Sequence, residues 1–560
     1  MNMKNILKYT AAVLCTMTLF VSCLKETFPQ SGTATGDQVA AAPGSYDLFV
    51  NAITSTLVGQ FVYDPGSTEA NDFGLPAFFL RWDLMGNDMV PPALTNGWFN
   101  SWYCIDHLGP TWANSQYAWT FYYGWIKACN DVINLAGAEP DDDKKAGAGI
   151  AYFYRAYFYM DLAQMFAKKP CYLDEEAETV PLVVETTQVN DLANNPRATN
   201  KAIFEQIISD LDKAETYLAD YHRSDKYTPD VSCVYGLKAR AYLLTGDWPN
   251  AQKYAKDAQA GYTLMNEAAY TSWENGFNTP NDAWMLGVTY KADDPNIQKN
   301  DADSSWGSWM CMEINPTSSG CGYAASYGRP IFIDQHLYST VPATDFRKKC
   351  YVDFAIDDMA KDDALTALAA YSNHGDWLYA NNVENSDFKC IGGLNLKFRT
   401  AGGEAGRDNQ YIGFVMAVPL MRVEEMYLIE AEAAGRQTEA DGIALLTTFA
   451  KTRDAAYEYG THTDAYGNTA TGTFLNEIWW QRRIEFWGEG LATKDVKRFQ
   501  KGVIRSYPGT NHVETYRFNT DATPDWMNLC IVQTETNYNF ACTNNPEPVA
   551  PTADSPEYAW

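Results

Sequence analysis

The stretch VYGLKARAYLLTGDWPNAQKYAKDAQAGY, residues 234–262, decides how this chain folds. It contains two alanine-rich segments that are separated by a tight turn at Gly246 and Asp247. Glycine ends a helix easily because it tolerates the left-handed conformation, and an aspartate can accept the free N–H groups of the helix that follows. The small alanine side chains let two helices approach closely. We therefore predict an α-helical hairpin here.

A second helical pair is predicted at LMRVEEMYLIEAEAAGRQTEADGIALLTTFAKTRDA, residues 420–455, where Gly435 should end the first helix. Both pairs resemble tetratricopeptide hairpins, but their phase is degenerate, so the sequence predicts helical-repeat pairs rather than a regular array. Apolar residues at helical spacing predict further helices. These stretches are 46–62, 117–137, 146–166, 199–221 and 474–490.

The segment between the two predicted hairpins has a different composition. Clusters of Gly, Pro, Asn, Asp and Ser predict a loop-rich insertion with a few short strands, such as Leu394–Phe398 and Tyr411–Val418. We expect a mainly α-helical, single body over 46–560. Its predicted parts are an N-terminal helical part (46–261), the insertion, which we expect to bind the ligand (262–415), a C-terminal helical part (416–500) and an irregular tail (501–560).

The first residues have the pattern of an export signal. Lys4 and Lys8 precede an apolar run from Ala11 to Val21, which is too short to span a bilayer comfortably. The run closes on Leu-Phe-Val-Ser-Cys, which resembles the lipobox of bacterial lipoproteins and would make Cys23 the acylated first residue of the mature chain. We therefore predict a signal peptide over 1–22 and a flexible tether over 23–45. The alternative is an ordinary secretory signal with a chance cysteine.

Composition excludes some functions. The 560 residues carry a net charge of −28, which argues against a nucleic-acid partner because phosphate binding needs lysine and arginine clusters. The 12 cysteines show no Cys-x-x-Cys pair. Cys311 with Cys321, and Cys530 with Cys542, could each close a loop, and the disulfide state stays open. Aromatic residues make up 14% of the chain, so we expect some rings to face a ligand.

Several motifs in register resemble the SusD/RagB family of outer-membrane lipoproteins of Bacteroidetes. They are the lipobox, YYGWIKACNDVINLA at 122–136, GIAYFYRAYFYMDLAQMFAKKP at 149–170, the hairpin with GDW at 246–248, IDQHLYSTVPATDFRKKCY at 333–351, RVEEMYLIEAEA at 422–433 and RRIEFWGEGLATKDVKRF at 482–499. The resemblance implies a mostly α-helical fold with tetratricopeptide-like pairs as its scaffold. It also implies capture of a nutrient, most often a glycan, by a lid on a SusC-type TonB-dependent barrel. Lys25 and Glu26 resemble the short charged signal that sends such lipoproteins to the cell surface.

Two aromatic-rich segments are the candidate glycan site, because indole and phenol faces can pack on the C–H face of a sugar while amides and guanidinium groups bond its hydroxyls. In this family the ligand surface draws on both segments. The alternative for any single ring is core packing. The candidates are Arg81, Trp98, Asn100 and Trp102 in the first segment, and Trp306, Trp309, Tyr323 and Tyr327 in the second.

No catalytic motif was found among Gly-x-Ser-x-Gly, His-Glu-x-x-His and phosphate-binding loops. Acids in 422–433 and 482–499 lie beside arginines, which favours structural ion pairs over general acids. We therefore predict no catalytic residue and no cofactor. Asp301 and Asp303 could hold calcium through oxygen ligands, but they lack EF-hand spacing.

The leading hypothesis is a surface-anchored glycan-binding lipoprotein that delivers oligosaccharide or polysaccharide to a SusC-like transporter. The alternatives are a peptide-binding member of the same family, an all-α glycoside hydrolase, or a purely structural surface protein. The identity of the glycan is not encoded in any motif of the sequence.

Overall fold

Ten helices of eleven residues or more carry the architecture of the described chain. The computed structural model describes residues 42, 44–60, 69–91, 94, 98–299, 302–318 and 322–560. The contacts group Phe49–Trp560 into one compact unit and Met1–Leu48 into another. The long helices are α1 (Ser45–Ser55), α2 (Leu75–Met85), α3 (Ala113–Ala136), α4 (Asp142–Phe166), α5 (Asn200–Leu218), α6 (Val231–Thr245), α7 (Trp248–Ala258), α8 (Val423–Gln437), α9 (Glu439–Ala450) and α10 (Gly472–Glu485).

The hairpin predicted at 234–262 is confirmed as α6 and α7. Gly246 takes the left-handed conformation with φ +76°, and the Asp247 side chain accepts a hydrogen bond from the backbone N–H of Asn250 at 3.2 Å. Ala251 and Ala255 on α7 are fully buried. Helix α7 packs against both α6 and α8, so the two predicted hairpins lie side by side.

The second hairpin forms as α8 and α9, but its first helix ends later than predicted. Helix α8 continues through Gly435 to Gln437. Gly435 is there for close packing: a Cβ at this position would lie 2.2 Å from the Phe474 ring, and one at Gly442 would lie 2.4 Å from the Gly435 Cα. The glycine marks the contact between helices α8, α9 and α10, and it does not mark a helix end.

Helices α3, α4 and α5 form the first half of the helical scaffold, and a buried ion pair joins two of them. Helix α4 packs on both neighbours, most extensively on α5. The Arg155 guanidinium on α4 donates to both carboxylate oxygens of Asp210 on α5, at 2.8 and 2.7 Å. Both side chains are buried, so the pair fixes the register of the two helices within the core.

The middle of the chain consists of short elements, as the composition predicted. Its longest helix is Lys361–Leu368, with eight residues. The other short α-helices of the described chain are Asn100–Cys104, Glu267–Tyr270, Pro295–Gln298, Trp306–Met310, Tyr323–Ser326, Gln335–Thr340, Gly375–Tyr379, Gly403–Asp408, Gln410–Gly413, Ala492–Arg498 and Gln533–Thr536. None of the described helices has both the length and the apolar character to span a bilayer.

The strands of the described chain are short: β1 (Met89–Val90), β2 (Glu178–Pro181), β3 (Arg197–Thr199), β4 (Trp284–Thr289), β5 (Phe332–Ile333) and β6 (Ala417–Arg422). They form three antiparallel pairs, β1 with β5, β2 with β3 and β4 with β6. The strand predicted at Tyr411–Val418 is wrong up to residue 416, because Gln410–Gly413 is helical and β6 starts only at Ala417. In the strand predicted at Leu394–Phe398, Leu394 forms an isolated bridge to Phe332 and Asn395 one to Tyr351. The mainly α-helical class is confirmed.

Candidate functional site

Four of the eight candidate glycan-binding residues form one aromatic cluster, although they come from two distant segments. Trp309 stacks on Tyr323 with 4.4 Å between ring centroids, and Tyr323 lies 4.7 Å from Tyr327. Trp98, from the first segment, makes a side-chain hydrogen bond with the Tyr323 hydroxyl. We name Trp98, Trp309, Tyr323 and Tyr327 the aromatic platform.

The inner half of the platform is held in place by hydrogen bonds. The Trp309 indole N–H donates to the Ala70 carbonyl at 2.8 Å, which fixes the ring against the segment preceding α2. The backbone N–H of Tyr323 donates to Ser308 Oγ at 2.6 Å. Trp309 and Tyr323 are only 2% and 6% exposed. They therefore support the outer rings more than they offer surface of their own.

The outer half of the platform is open to solvent. Trp98 is 43% exposed and Tyr327 is 51% exposed. The Trp98 carbonyl accepts a hydrogen bond from the Asn71 side chain at 3.0 Å, so the backbone that carries the exposed indole is tied to the body. Burial raises the pKa of Tyr323 to about 12, so its hydroxyl stays neutral and can donate. The platform thus offers two accessible ring faces, Trp98 and Tyr327, on the buried support of Tyr323 and Trp309.

Gly322 shapes the start of the short helix that carries Tyr323. Its φ is +83°, which an L side chain rarely adopts, and a Cβ there would lie 2.6 Å from the Phe414 ring. The backbone N–H of Gly322 donates to Gln410 Oε1 at 2.8 Å. The short helix Gln410–Gly413 therefore lies beside the platform. The exposed Tyr411 directly follows Gln410 in this helix.

Three candidate residues are corrected by the structure, because they are fully buried and offer no side-chain surface to a ligand: Arg81, Trp102 and Trp306. Trp102 packs edge-on against Trp82, with centroids 5.9 Å apart. Arg81 lies 5.8 Å above the Trp102 ring, and burial lowers its pKa to about 10. These side chains belong to the buried core of the protein. The spacing of residues along a turn-rich segment does not show which side chains are buried, so the sequence could not distinguish these residues from the exposed Trp98.

The remaining candidates have structural roles or lie outside the described residues. Asn100 is half-buried and its side-chain amide donates to the Leu94 carbonyl, so it ties the start of the short helix Asn100–Cys104 to the backbone of Leu94. Cys23 and Asp301 are outside the described residues, as is Cys321. No group of three or more His, Cys, Asp or Glu side chains in the described part of the chain is arranged to hold a metal ion. Cys530 and Cys542 are both free thiols, so the loop closure considered for them is wrong in this structure.

A second aromatic group was missed by sequence reasoning. His374 stacks on Trp377 with 3.9 Å between ring centroids, and its Nε2 lies 2.9 Å from the Glu404 carboxylate. The same carboxylate lies 3.4 Å from Arg407, which donates to the backbone carbonyl of Trp273. Single His and Trp residues in a loop-rich segment carry no periodic signal, so only the tertiary contacts join them.

The acid-rich signatures form buried ion pairs, as predicted, although the arginines that pair with Glu485 come from distant parts of the sequence. Glu485 is fully buried and accepts from Arg453 and Arg422 at 3.1 Å and from Arg347 at 3.2 Å. These three cations outweigh burial and hold the pKa of Glu485 far below its usual range. A carboxylate that stays ionised cannot serve as the general acid of a glycosidase. Arg483 likewise pairs with Asp88, whose position in the sequence lies between Arg81 and Trp98.

Comparison with known families gives two adjacent matches. Residues 85–243 match a SusD-like family described as starch-binding and associating with the outer membrane. Residues 247–547, more than half of the chain, match the SusD family. No curated protein matches the sequence significantly.

Solved structures of the same architecture cover nearly the whole chain. A SusD-like carbohydrate-binding protein from Bacteroides vulgatus is 21% identical, with 89% of this chain and 97% of that one covered and a TM-score of 0.67. Surface glycan-binding protein A from Bacteroides thetaiotaomicron, solved with laminarihexaose, is 18% identical, with 90% and 99% coverage and a TM-score of 0.61. A laminarin-binding SusD-like protein is 17% identical, with 90% and 98% coverage and a TM-score of 0.57. The predicted SusD-like fold is confirmed, and with more than half of its length matched the chain belongs to the SusD family, whose members are non-catalytic binding proteins.

Proposed function

We propose that this protein is a lipid-anchored, cell-surface receptor that captures an oligosaccharide or polysaccharide on the aromatic platform and delivers it to a SusC-like TonB-dependent transporter. Membership of the SusD family supports a binding role. Two proteins of the same fold are named for laminarin or were solved with laminarihexaose. The family description also places such proteins at the outer membrane.

One observation carries the proposal. Trp98 and Tyr327 come from segments more than two hundred residues apart, and Tyr323 links them by a hydrogen bond and a ring contact. Large exposed rings are expensive to leave in water, and a pair of them held on an ordered support is typical of a binding surface. A sugar ring can pack its C–H face on the exposed Trp98 indole or on the exposed Tyr327 phenol ring.

The lipid anchor and the transporter complete the proposal. The lipobox at Cys23 would place the body at a membrane surface. A receptor held over a pore needs only modest affinity, because tethering raises the effective concentration of its ligand at the pore. A small number of aromatic contacts is therefore enough for uptake.

The test compares two platform variants with a matched control. Trp98→Ala and Tyr327→Ala should each weaken binding of the cognate glycan about tenfold, equivalent to about 1.4 kcal/mol, when titrated calorimetrically against a panel of polysaccharides and peptides. Trp112→Ala removes an indole of similar exposure (45%) outside the platform and should leave affinity unchanged. Unfolding temperatures show whether each variant stays folded.

Three results would contradict the proposal. Parent-like affinity of both platform variants would place the glycan elsewhere on the molecule. Binding to peptides but to no glycan would show that the ligand is a peptide. Turnover of any glycan by the purified protein would contradict a pure receptor role.

A further inference from the structure

The segments that build the aromatic platform contain almost no positive charge. Arg81 is the one lysine or arginine between Glu26 and Ile126, and there is none between Asn300 and Gly328. All four platform residues lie within these two stretches. Arg81 itself is fully buried under the Trp102 ring. The sequence of the platform segments therefore supplies no side-chain cation at the surface.

The structure shows which charges act on the centre of the platform. Among the described residues, Arg329 and Asp303 are the charged groups whose fields change the pKa of the Tyr323 hydroxyl, and they act in opposite directions. Arg329 is buried, and its guanidinium lies 3.8 Å from the exposed carboxylate of Asp387. It also donates to the Gly328 carbonyl at 3.2 Å. The guanidinium of Arg329 is thus turned toward protein groups.

A carboxylate or sulfate on a sugar must exchange its hydration for charged or hydrogen-bonding partners when it enters a binding site. Arginine and lysine are the usual partners of such groups. At this platform an anionic sugar would lose water and would meet no exposed lysine or arginine from the two segments that carry the rings, and Asp303 and the chain charge of −28 would repel it. A neutral sugar needs only ring faces and hydroxyl partners.

We infer that the platform selects neutral glycan chains and rejects chains that carry uronate or sulfate groups. This inference rests on the proposed function, because it names the class of glycan for the same site.

The test uses a matched pair of ligands. Neutral polysaccharides (laminarin, galactan, arabinan, xylan) and anionic ones (polygalacturonate, alginate, chondroitin sulfate) are titrated at about 20 mM and about 300 mM NaCl. The tightest neutral binder is then oxidised at its primary hydroxyls, or carboxymethylated where it has none, and titrated again. We expect the charged form to bind at least about tenfold more weakly, with a smaller gap at high salt.

A charge variant separates electrostatics from shape. Asp303→Lys places a cation near Tyr323 and should narrow the affinity ratio between the neutral and charged forms about threefold. Glu139→Lys changes the net charge equally at the exposed turn between α3 and α4 and should leave the ratio unchanged. An anionic polysaccharide that binds as tightly as any neutral one, and loses affinity in Trp98→Ala, overturns this inference while the receptor role stands. Binding to no polysaccharide at all overturns both proposals.

Discussion

Replacing Glu485 by glutamine tests whether the acid-rich signature serves the fold or the chemistry. Glu485 is fully buried and lies within 3.2 Å of three arginine side chains, Arg347, Arg422 and Arg453. Glutamine has nearly the same shape but no charge, so Glu485→Gln changes the electrostatics of the cluster with little change in packing. We expect the variant to lose stability and to keep its glycan affinity.

The magnitude follows from the charges in the cluster. Four bases and four acids lie together and balance: Arg347, Lys397, Arg422 and Arg453 against Asp345, Glu424, Glu485 and Glu489. Removing one acid leaves a buried, uncompensated positive charge, which typically costs about 3–5 kcal/mol. Each arginine keeps another carboxylate, so we expect about 3 kcal/mol. Unfolding roughly 500 residues changes the entropy by about 1 kcal/mol/K, so Tm should fall by about 3 °C.

The assay is chemical or thermal denaturation with Glu404→Gln as the control. Glu404 is exposed and pairs with His374 and Arg407, and loss of an ion pair of an exposed carboxylate costs less than about 1 kcal/mol. The pKa of Glu485 is lowered in the folded state, so its contribution is present above the unfolded pKa and is lost as the pH falls. The gap between parent and Glu485→Gln should therefore shrink under strongly acidic conditions. A variant within about 1 kcal/mol of the parent at pH 7 would refute the reasoning.

Three further predictions concern buried ionisable groups and the platform. Burial raises the pKa of Asp83 to about 7, so the folded state keeps a proton that the unfolded state releases near pH 4. Stability should fall by up to about 4 kcal/mol between pH 4 and pH 7 in denaturation measurements, and equal pH slopes for the parent and Asp83→Asn would contradict this. Burial lowers the pKa of Lys497 to about 7, so stability should increase from pH 7 toward pH 10, and Lys497→Met should flatten that increase. The methyl group of Gly322→Ala would press on the Phe414 ring, so this variant should bind glycan several-fold more weakly. The control Gly261→Ala has a similar positive φ but open space around it, and it should lower stability without changing glycan affinity. Unchanged glycan affinity of Gly322→Ala would contradict the role of Gly322 in positioning Tyr323.

Much of the fold follows from local sequence patterns. The hairpin around Gly246 was predictable because a helix end and a helix start require particular residues at adjacent positions. Gly435 misled the same reasoning, because a glycine that ends a helix and a glycine that lets two helices touch look identical in sequence. Only the position of the Phe474 ring distinguishes them.

The candidate site was predictable as two segments but not as residues. Trp98 and Trp102 are four positions apart, yet one is 43% exposed and the other is fully buried. Trp306 and Trp309 are both buried, and only the contact of Trp309 with Tyr323 makes it part of the platform. Burial depends on what the rest of the chain packs against each ring, which no local pattern encodes.

The sequence by itself determined the helical class, the resemblance to the SusD family and the scarcity of lysine and arginine in the two aromatic-rich segments. Each follows from composition or from neighbours along the chain. The tertiary structure alone decided which aromatic rings reach solvent and brought Trp98 to Tyr323 across more than two hundred residues. It also joined His374, Trp377 and Glu404. The physical reason is that the burial of a ring and the partners of a buried charge depend on long-range packing, as for Glu485 with Arg347 and Arg422, whereas a helix end depends on residues a few positions away.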